Sequence, residues 1–252
     1  MEALLYLMAG IFLPLFPLSM GFNLLLGHCR QVVLRAALLL LWPQLGLLLV
    51  SSLNTPPPGW LVPLALITAG LYALRALVLR DVGQWIGFLA TSAWALLWVS
   101  LQGDTPITTL QLYALGFSAP LVLLALLGRG LERRFGAAYT GLYGGLAQST
   151  PRLAGILVFV VLAIIATPLF PTFFIMLATL VEAVPSMPAI GFGVAGVWLL
   201  WSWAGARLLQ GLIAGPAAEP WPEDLSHAAT RSYALALLLL LAAGVYGIGG
   251  LS

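Results

Sequence analysis

The chain has 252 residues, of which 62% are hydrophobic and only 7% are charged. Soluble domains carry about 25% charged residues, so the composition excludes a soluble globular enzyme, a disordered chain and a nucleic-acid-binding protein, and indicates an integral membrane protein. All 10 basic residues are arginines, and the 8 acidic residues leave a net charge of only +2. One cysteine, Cys29, and two histidines far apart, His28 and His227, predict no disulfide, metal site or other cofactor.

Eight apolar segments are long enough to cross a membrane, which takes about 20 helical residues. In chain order they cover 3–27, 31–53, 60–79, 83–102, 107–128, 152–183, 188–213 and 232–251. None of them alternates in polarity with a period of two, so all are expected to be helices. The sequence therefore predicts an all-α membrane protein, with one domain over 1–252 and about eight transmembrane helices.

The positions of the arginines predict the orientation, because cytoplasmic loops carry an excess of basic residues. The first, third and fifth loops hold arginines, among them Arg30, Arg80 and Arg133, whereas the second has no charge and the fourth has only Asp104. We therefore expect the odd-numbered loops in the cytoplasm and both termini outside, in a bacterial-type inner (plasma) membrane.

The tetrapeptide PLFP occurs in two of the apolar segments, as Pro14–Pro17 and Pro168–Pro171. Proline removes a backbone donor and clashes with the preceding turn, so each copy is expected to break its helix. Paired interrupted segments are the sequence feature of a transport site built on discontinuous helices. Because proline, leucine and phenylalanine are all common here, chance repetition is the alternative.

Five stretches resemble motifs of the antiporter-like membrane subunits of respiratory complex I and of multisubunit sodium/proton antiporters. In chain order they are Phe12–Phe22, Arg80–Ala95, Leu112–Phe135, Gly144–Pro151 and Thr167–Leu180. The resemblance implies that this chain corresponds to the last eight of the family's fourteen helices, and that the first six are missing. It also implies that 3–27 and 152–183 are the family's two broken helices.

In that family, protons move along buried lysines, a glutamate or lysine, and histidines at the membrane midplane. The corresponding positions here hold residues that do not titrate: Phe12, Pro43, Gly83, Ala93, Leu115 and Met176. Asp81 and Gly116 of the motifs are retained. Buried charges are costly and are normally kept for function, so their replacement implies that the chain does not conduct protons along the family's usual axis.

Three other ionisable residues are candidates for buried or interfacial positions. Arg75 is expected to extend to the lipid headgroups, whereas Arg207 either does so or pairs with a carboxylate on another helix or subunit. Glu182 is expected at the outer interface, with a displaced proton site as the alternative. Arginine cannot release its proton, so neither arginine replaces the lost lysines. Most of the tryptophans, including Trp94 and Trp98, are expected in interfacial belts.

These observations favour an accessory or structural membrane subunit of a complex I-related ion-translocating assembly. The host would be an NADH dehydrogenase-like complex, an antiporter, a membrane hydrogenase or an inorganic-carbon pump. We expect no catalytic residue, cofactor or nucleic acid; the partners would be the lipid bilayer, antiporter-like or other membrane subunits, or a soluble protein on the cytoplasmic face. The alternatives are a stand-alone secondary transporter using the broken helices and a half-channel completed by a separate subunit.

Overall fold

A computed structural model describes residues 2–29, 31–53, 56–103, 105–141, 144–216 and 223–248. Within these ranges the chain is all-α, as predicted, with one isolated bridge between Asp81 and Tyr139. The helices are α1 (Glu2–Phe12), α2 (Ser19–His28), α3 (Val32–Ser51), α4 (Leu61–Ala76), α5 (Val82–Leu101), α6 (Ile107–Phe135), α7 (Leu146–Ser149), α8 (Pro151–Ile164), α9 (Pro171–Ser186), α10 (Pro188–Ile213) and α11 (His227–Ile248). Arg30 and Asp104, on which the orientation prediction partly rests, lie outside the described residues.

Five of these helices, α3, α5, α6, α10 and α11, are long and apolar enough to cross a membrane singly. The helices α4, α8 and α9 are apolar but shorter. Each PLFP copy interrupts one predicted segment, which gives the pairs α1–α2 and α8–α9. The chain is thus a multi-pass membrane protein of about eight crossings, two of them broken, as the sequence predicted.

Helix α5 forms the centre of the bundle. In its membrane-length window 83% of the residues are buried, against 22% in α3 and 11% in α11. Three tryptophans of α5, Trp85, Trp94 and Trp98, are among the largest fully buried side chains. A helix that is apolar on all sides must be covered on all sides, and α5 is covered by α2, α4, α6 and α9. The prediction that Trp94 and Trp98 belong to interfacial belts is therefore wrong.

Two helices extend beyond the predicted apolar segments. Helix α6 continues past residue 128 to Phe135, and Gly136 then ends it in the left-handed conformation with φ +80°. Arg133 and Arg134 lie in its last turn, where cations interact favourably with the helix dipole. Helix α11 begins at His227 rather than at residue 232. The length of an apolar segment predicts the part of a helix that crosses the membrane. It does not predict the polar turns by which the same helix continues beyond that segment.

The loops that carry arginine come together at one end of the bundle. The Arg35 guanidinium lies 3.7 Å from the Glu132 carboxylate, and the Arg80 carbonyl accepts a hydrogen bond from the Thr140 N–H at 2.8 Å. Arg80 and Arg207 line one cavity. We name this the arginine-bearing end; it is the end that the positive-inside rule predicts to face the cytoplasm.

Candidate functional site at the two helix breaks

The first break covers residues 13–18, between α1 and α2. Pro17 has no N–H, so in a continuous helix the Leu13 carbonyl would lose its partner. That carbonyl instead accepts a hydrogen bond from the Trp98 indole N–H at 3.0 Å. Leu13 and Trp98 are both fully buried. The proline therefore breaks the helix, and a tryptophan of the central helix satisfies the carbonyl that it frees.

A second tryptophan completes the first break. The Trp42 indole N–H donates to the Ile11 carbonyl at 3.0 Å, and the Trp42 ring packs against Phe12 with ring centres 5.0 Å apart. On the other side, the Phe16 N–H donates to the Thr68 hydroxyl at 3.0 Å. Backbone groups must be satisfied internally where no water reaches them, and at this break neutral side chains of α3, α4 and α5 do so.

The second break covers residues 165–170, between α8 and α9. Its prolines are Pro168, in the break itself, and Pro171, which begins α9. Ala166 and Leu169 adopt positive φ angles of 57° and 84°. Residues other than glycine rarely adopt positive φ angles, because this conformation costs about 1–3 kcal/mol per residue. The second break is therefore conformationally strained.

The second break is also satisfied by neutral donors. The Trp198 indole N–H donates to the Ala166 carbonyl at 3.2 Å, and the Thr172 hydroxyl donates to the Ala163 carbonyl. The Trp198 ring packs edge-on against Phe173 at 5.5 Å between ring centres. A tryptophan from a neighbouring helix thus meets each break at a freed carbonyl.

Between the breaks, hydrogen bonds join neutral side chains. The Trp201 indole donates to the Ser92 hydroxyl at 2.8 Å, and that hydroxyl donates to the Ala69 carbonyl at 2.8 Å. The Trp94 indole donates to the Ser118 hydroxyl at 3.1 Å. These bonds fix α4, α5, α6 and α10 against one another.

The interior of the described structure contains hydroxyl groups and lacks charges. Apart from aromatic side chains and Cys29, the buried polar residues are Ser19, Thr68, Thr91, Ser92, Ser100, Ser118, Ser149, Thr150, Thr172 and Thr179. None of the acidic, arginine or histidine side chains that the structure describes is buried. Within those residues the arrangement can therefore hold hydrogen bonds but offers no acid or base at its centre.

Four of the six positions that the resemblance aligns with the family's titratable residues are packed into the protein. Met176 is 0% exposed and Ala93 is 3% exposed. Pro43 is buried within α3, and Phe12 is half-buried against Trp42. Apolar packing occupies the volume at these four positions.

The position of Leu115 differs from the others. Its side chain is 41% exposed on α6, whereas the preceding residue, Ala114, is fully buried. The next residue, Gly116, faces α9: a Cβ there would overlap the Ile175 side chain. A histidine at Leu115 would face the surface of the described chain and not its centre.

Gly83 lies in the first turn of α5, at the arginine-bearing end and not at the centre of the bundle. The Asp81 carboxylate caps this helix by accepting the Gln84 N–H at 2.7 Å. A Cβ at Gly83 would lie 3.1 Å from that carboxylate and 3.5 Å from the Arg35 guanidinium. Asp81 is thus retained as a helix cap, and the arginine beside it is ion-paired with Glu132.

The three ionisable candidates all lie at the surface. Arg75 is exposed, and its guanidinium stands 5.7 Å from the centre of the Phe88 ring. Glu182 is exposed near the end of α9 and accepts a hydrogen bond from the Thr105 hydroxyl at 3.0 Å. Arg207 is exposed and has no carboxylate within ion-pair distance among the described residues. The structure brings none of the three to the breaks.

The residues that sequence reasoning missed are the tryptophans. Trp42, Trp98 and Trp198 each donate to a carbonyl at a break. The sequence offered one indication of their importance, which is that the chain contains 9 tryptophans. Pairing each indole with its carbonyl requires the tertiary fold, because Trp98 and Leu13 are far apart in sequence.

The same fold occurs in chains of solved complexes. A chain of respiratory complex I from Thermus thermophilus with bound NADH superposes with a TM-score of 0.83, at 23% identity, over 96% of this chain and 54% of that chain. A chain of the Mrp complex from Dietzia sp. DQ12-45-1b gives 0.76 at 14% identity, over 97% and 56%. This chain shares the fold of these two chains.

A third match has the same fold. It is a chain of the membrane-bound sulfane sulfur reductase, an archaeal respiratory membrane complex, with a TM-score of 0.81 at 16% identity over 96% of this chain and 44% of that one. This chain thus spans about half the length of the chains it matches. No family model and no curated protein sequence matches it. The fold predicted from the five motifs is confirmed by structure.

Proposed function

We propose that the chain is an accessory or structural membrane subunit of a complex I-related ion-translocating assembly, and that it does not itself conduct protons. The observation that carries the proposal is the composition of the interior. The buried polar residues there are serines, threonines and aromatic residues, without a described acid, arginine or histidine. Proton transfer through a membrane needs groups that take up and release protons, and such residues mark proton pathways.

Two of the hydroxyl groups that remain are unsuited to a substitute path. Ser92 and Thr68 donate to the carbonyls of Ala69 and Leu64, so each hydroxyl proton is already engaged. Met176, at the position of the family's glutamate or lysine, is fully buried among apolar neighbours. This packing supports a structural role for the second broken helix.

The tryptophans count against a stand-alone transporter. Discontinuous helices bind solutes through the free ends of their half-helices. Here the Leu13 and Ala166 carbonyls are bonded to Trp98 and Trp198, so a solute would have to displace an indole. A half-channel completed by another subunit is also disfavoured, since the interior formed by the described residues would contribute no acid, arginine or histidine.

The outer surface supports membrane partners. A groove of about 590 Å³ runs between α2, α4 and α5; its lining is largely apolar and also includes Asn23, His28, Tyr72, Arg75 and Gln84. Such a surface suits antiporter-like or other membrane subunits, with a soluble partner at the arginine-bearing end. In this proposal the membrane is a bacterial-type inner membrane, the arginine-bearing end faces the cytoplasm, and both termini are outside.

Proton flux tests the proposal directly. The purified chain, reconstituted in liposomes that contain a pH-sensitive dye, is expected to dissipate an imposed pH gradient no faster than empty liposomes. In the intact assembly, Glu182→Gln and Arg207→Gln are expected to leave flux unchanged. Flux through the chain alone, or flux abolished by either substitution, would overturn the proposal.

Co-purification tests whether the chain assembles with other membrane subunits. The chain, tagged and extracted from its native membrane in mild detergent, is expected to bring antiporter-like membrane subunits with it. A monodisperse chain that transports a solute by itself would establish the stand-alone alternative instead.

A further inference from the structure

A cavity of about 550 Å³ lies at the arginine-bearing end, apart from the helix breaks. The end of α4, the start of α5 and the last turns of α10 surround it. Its polar lining residues are Arg80, Trp85, Thr140, Arg207 and Gln210. We name it the Arg80–Arg207 cavity.

Backbone hydrogen bonds hold the walls of the Arg80–Arg207 cavity in place. The Thr140 N–H donates to the Arg80 carbonyl at 2.8 Å, and the Gly141 N–H donates to the Gly211 carbonyl at 3.2 Å. A Cβ at Gly211 would lie only 3.0 Å from the Thr140 Cβ. Hydrogen bonds therefore join the 138–141 segment to the residues just before α5 and to α10. The walls of the cavity are held by the backbone of the fold.

Two arginines of this cavity lack partners within the described part of the chain. Neither Arg80 nor Arg207 has a side-chain hydrogen bond or ion pair there, and both are exposed. Other arginines at the same end are engaged: Arg35 pairs with Glu132, and Arg134 donates to the Glu223 carbonyl at 2.7 Å. The cavity thus concentrates two uncompensated positive charges.

A third, independent feature belongs to a residue of the cavity wall. The Trp85 indole N–H is the one buried side-chain polar atom of the described residues that has no hydrogen-bond partner. Trp85 is 1% exposed, and it lines the cavity. Buried polar groups are nearly always satisfied, so an unsatisfied donor in a native fold indicates a missing partner. An acceptor bound in the cavity would be that partner.

We propose that the Arg80–Arg207 cavity binds the phosphate of an anionic phospholipid headgroup. Guanidinium groups bind phosphate oxygens through paired, charge-assisted hydrogen bonds, and the Trp85 indole and the Gln210 amide add neutral donors. Leu77, Val78 and Leu208 also line the cavity, which suits the glycerol and first methylenes of a lipid better than a free anion. Basic pockets between transmembrane helices are known to bind such headgroups.

Native mass spectrometry of the purified full chain tests this proposal. The chain is titrated with phosphatidylglycerol and, separately, with phosphatidylcholine of the same acyl chains. The wild type is expected to retain phosphatidylglycerol preferentially. The double variant Arg80→Gln/Arg207→Gln is expected to lose that retention by about tenfold or more, because hydrogen bonds to charged groups are the stronger ones.

Two variants separate the cavity from general charge. Arg133→Gln/Arg231→Gln removes the same charge from exposed residues outside the cavity and is expected to leave lipid retention unchanged. Trp85→Phe keeps the ring and removes the N–H; it is expected to weaken retention about threefold without lowering the melting temperature. If the double variant fails to fold, Trp85→Phe and the single variant Arg207→Gln still test the site.

Three results would overturn the proposal. One is equal retention of the two lipids by the wild type. Another is an equal loss in the control pair and in the cavity pair. The third is inorganic phosphate that binds the chain as tightly as phosphatidylglycerol and displaces it, which would make the cavity a site for a soluble anion.

Discussion

The two helix breaks contain the same tetrapeptide and differ in how the backbone turns. At the first break, the Phe16 N–H donates a hydrogen bond to the Thr68 hydroxyl. None of the residues 13–18 has a positive φ angle. At the second, Ala166 and Leu169 are held at positive φ. The prolines therefore determine where each helix is interrupted, whereas neighbouring helices determine the path of the chain through the interruption.

The breaks are alike in how closely a neighbouring helix approaches them. A Cβ at Gly46 of α3 would lie 2.9 Å from the Leu13 backbone nitrogen. A Cβ at Gly244 of α11 would overlap the Leu169 carbonyl oxygen and lie 3.1 Å from the Phe170 carbonyl carbon. Small residues allow transmembrane helices to pack backbone to backbone. Each break is thus held by a glycine on one side and a tryptophan on another.

A charge placed in the helix beside the second break is expected to give one of the two largest effects. Met176→Lys should lower the free energy of unfolding by about 3 kcal/mol, because a charge in a membrane interior is costly. Phe12→Lys should cost about half as much, since Phe12 is half-buried and a lysine there can extend to the surface. Denaturant unfolding in detergent measures both, with Met176→Leu as the control; equal losses would refute the contrast.

Substitution of the glycines that contact the breaks is expected to destabilise the protein by a similar or slightly smaller amount. Gly244→Ala should cost about 3 kcal/mol and Gly46→Ala about 2 kcal/mol, since overpacking of a fitted contact costs about 1–3 kcal/mol and the backbone at 169–171 cannot yield. Gly196→Ala on α10 meets nothing within 4 Å. It should be neutral or slightly stabilising, because alanine favours helix. Thermal unfolding distinguishes them, and a harmless Gly244→Ala would show that α11 is not fastened to the second break.

The tryptophans give an intermediate effect. Trp98→Phe leaves the buried Leu13 carbonyl without its donor and should cost about 2 kcal/mol, whereas Trp198→Phe at a half-buried site should cost about 1 kcal/mol. Trp203→Phe is the control, since Trp203 is 55% exposed. The same unfolding measurement applies. Losses no greater than that of the control would mean that the indole N–H groups do not stabilise the breaks.

The smallest expected effect is an increase in the free energy of unfolding. Leu169→Gly relieves a positive φ at a side chain that is 58% exposed and should raise the free energy of unfolding by about 1 kcal/mol. Leu18→Gly, at φ −61° in the last residue of the first break, should instead lower it by about 0.5–1 kcal/mol. Opposite signs for the two leucines would establish that only the second break is strained.

The sequence predicted the crossings and both breaks because apolar length and proline act locally. It did not predict the helical turns at 129–135 or at 227–231, since polar residues there continue a helix beyond the apolar segment. It did not predict the surroundings of the positions that the resemblance singles out: Leu115 faces outward, and Gly83 lies beside Arg35 at one end. The indole-to-carbonyl bonds depend on long-range packing, which the pattern of a single sequence does not contain.

The uncharged interior has an electrical consequence. A membrane potential does work only on charge that moves through it, about 2.3 kcal/mol per elementary charge for each 100 mV. Trp98 and Trp198 hold the breaks through neutral indoles, and the described interior contains no charged side chain. Energising the membrane would therefore do no work on buried charged side chains in the described core.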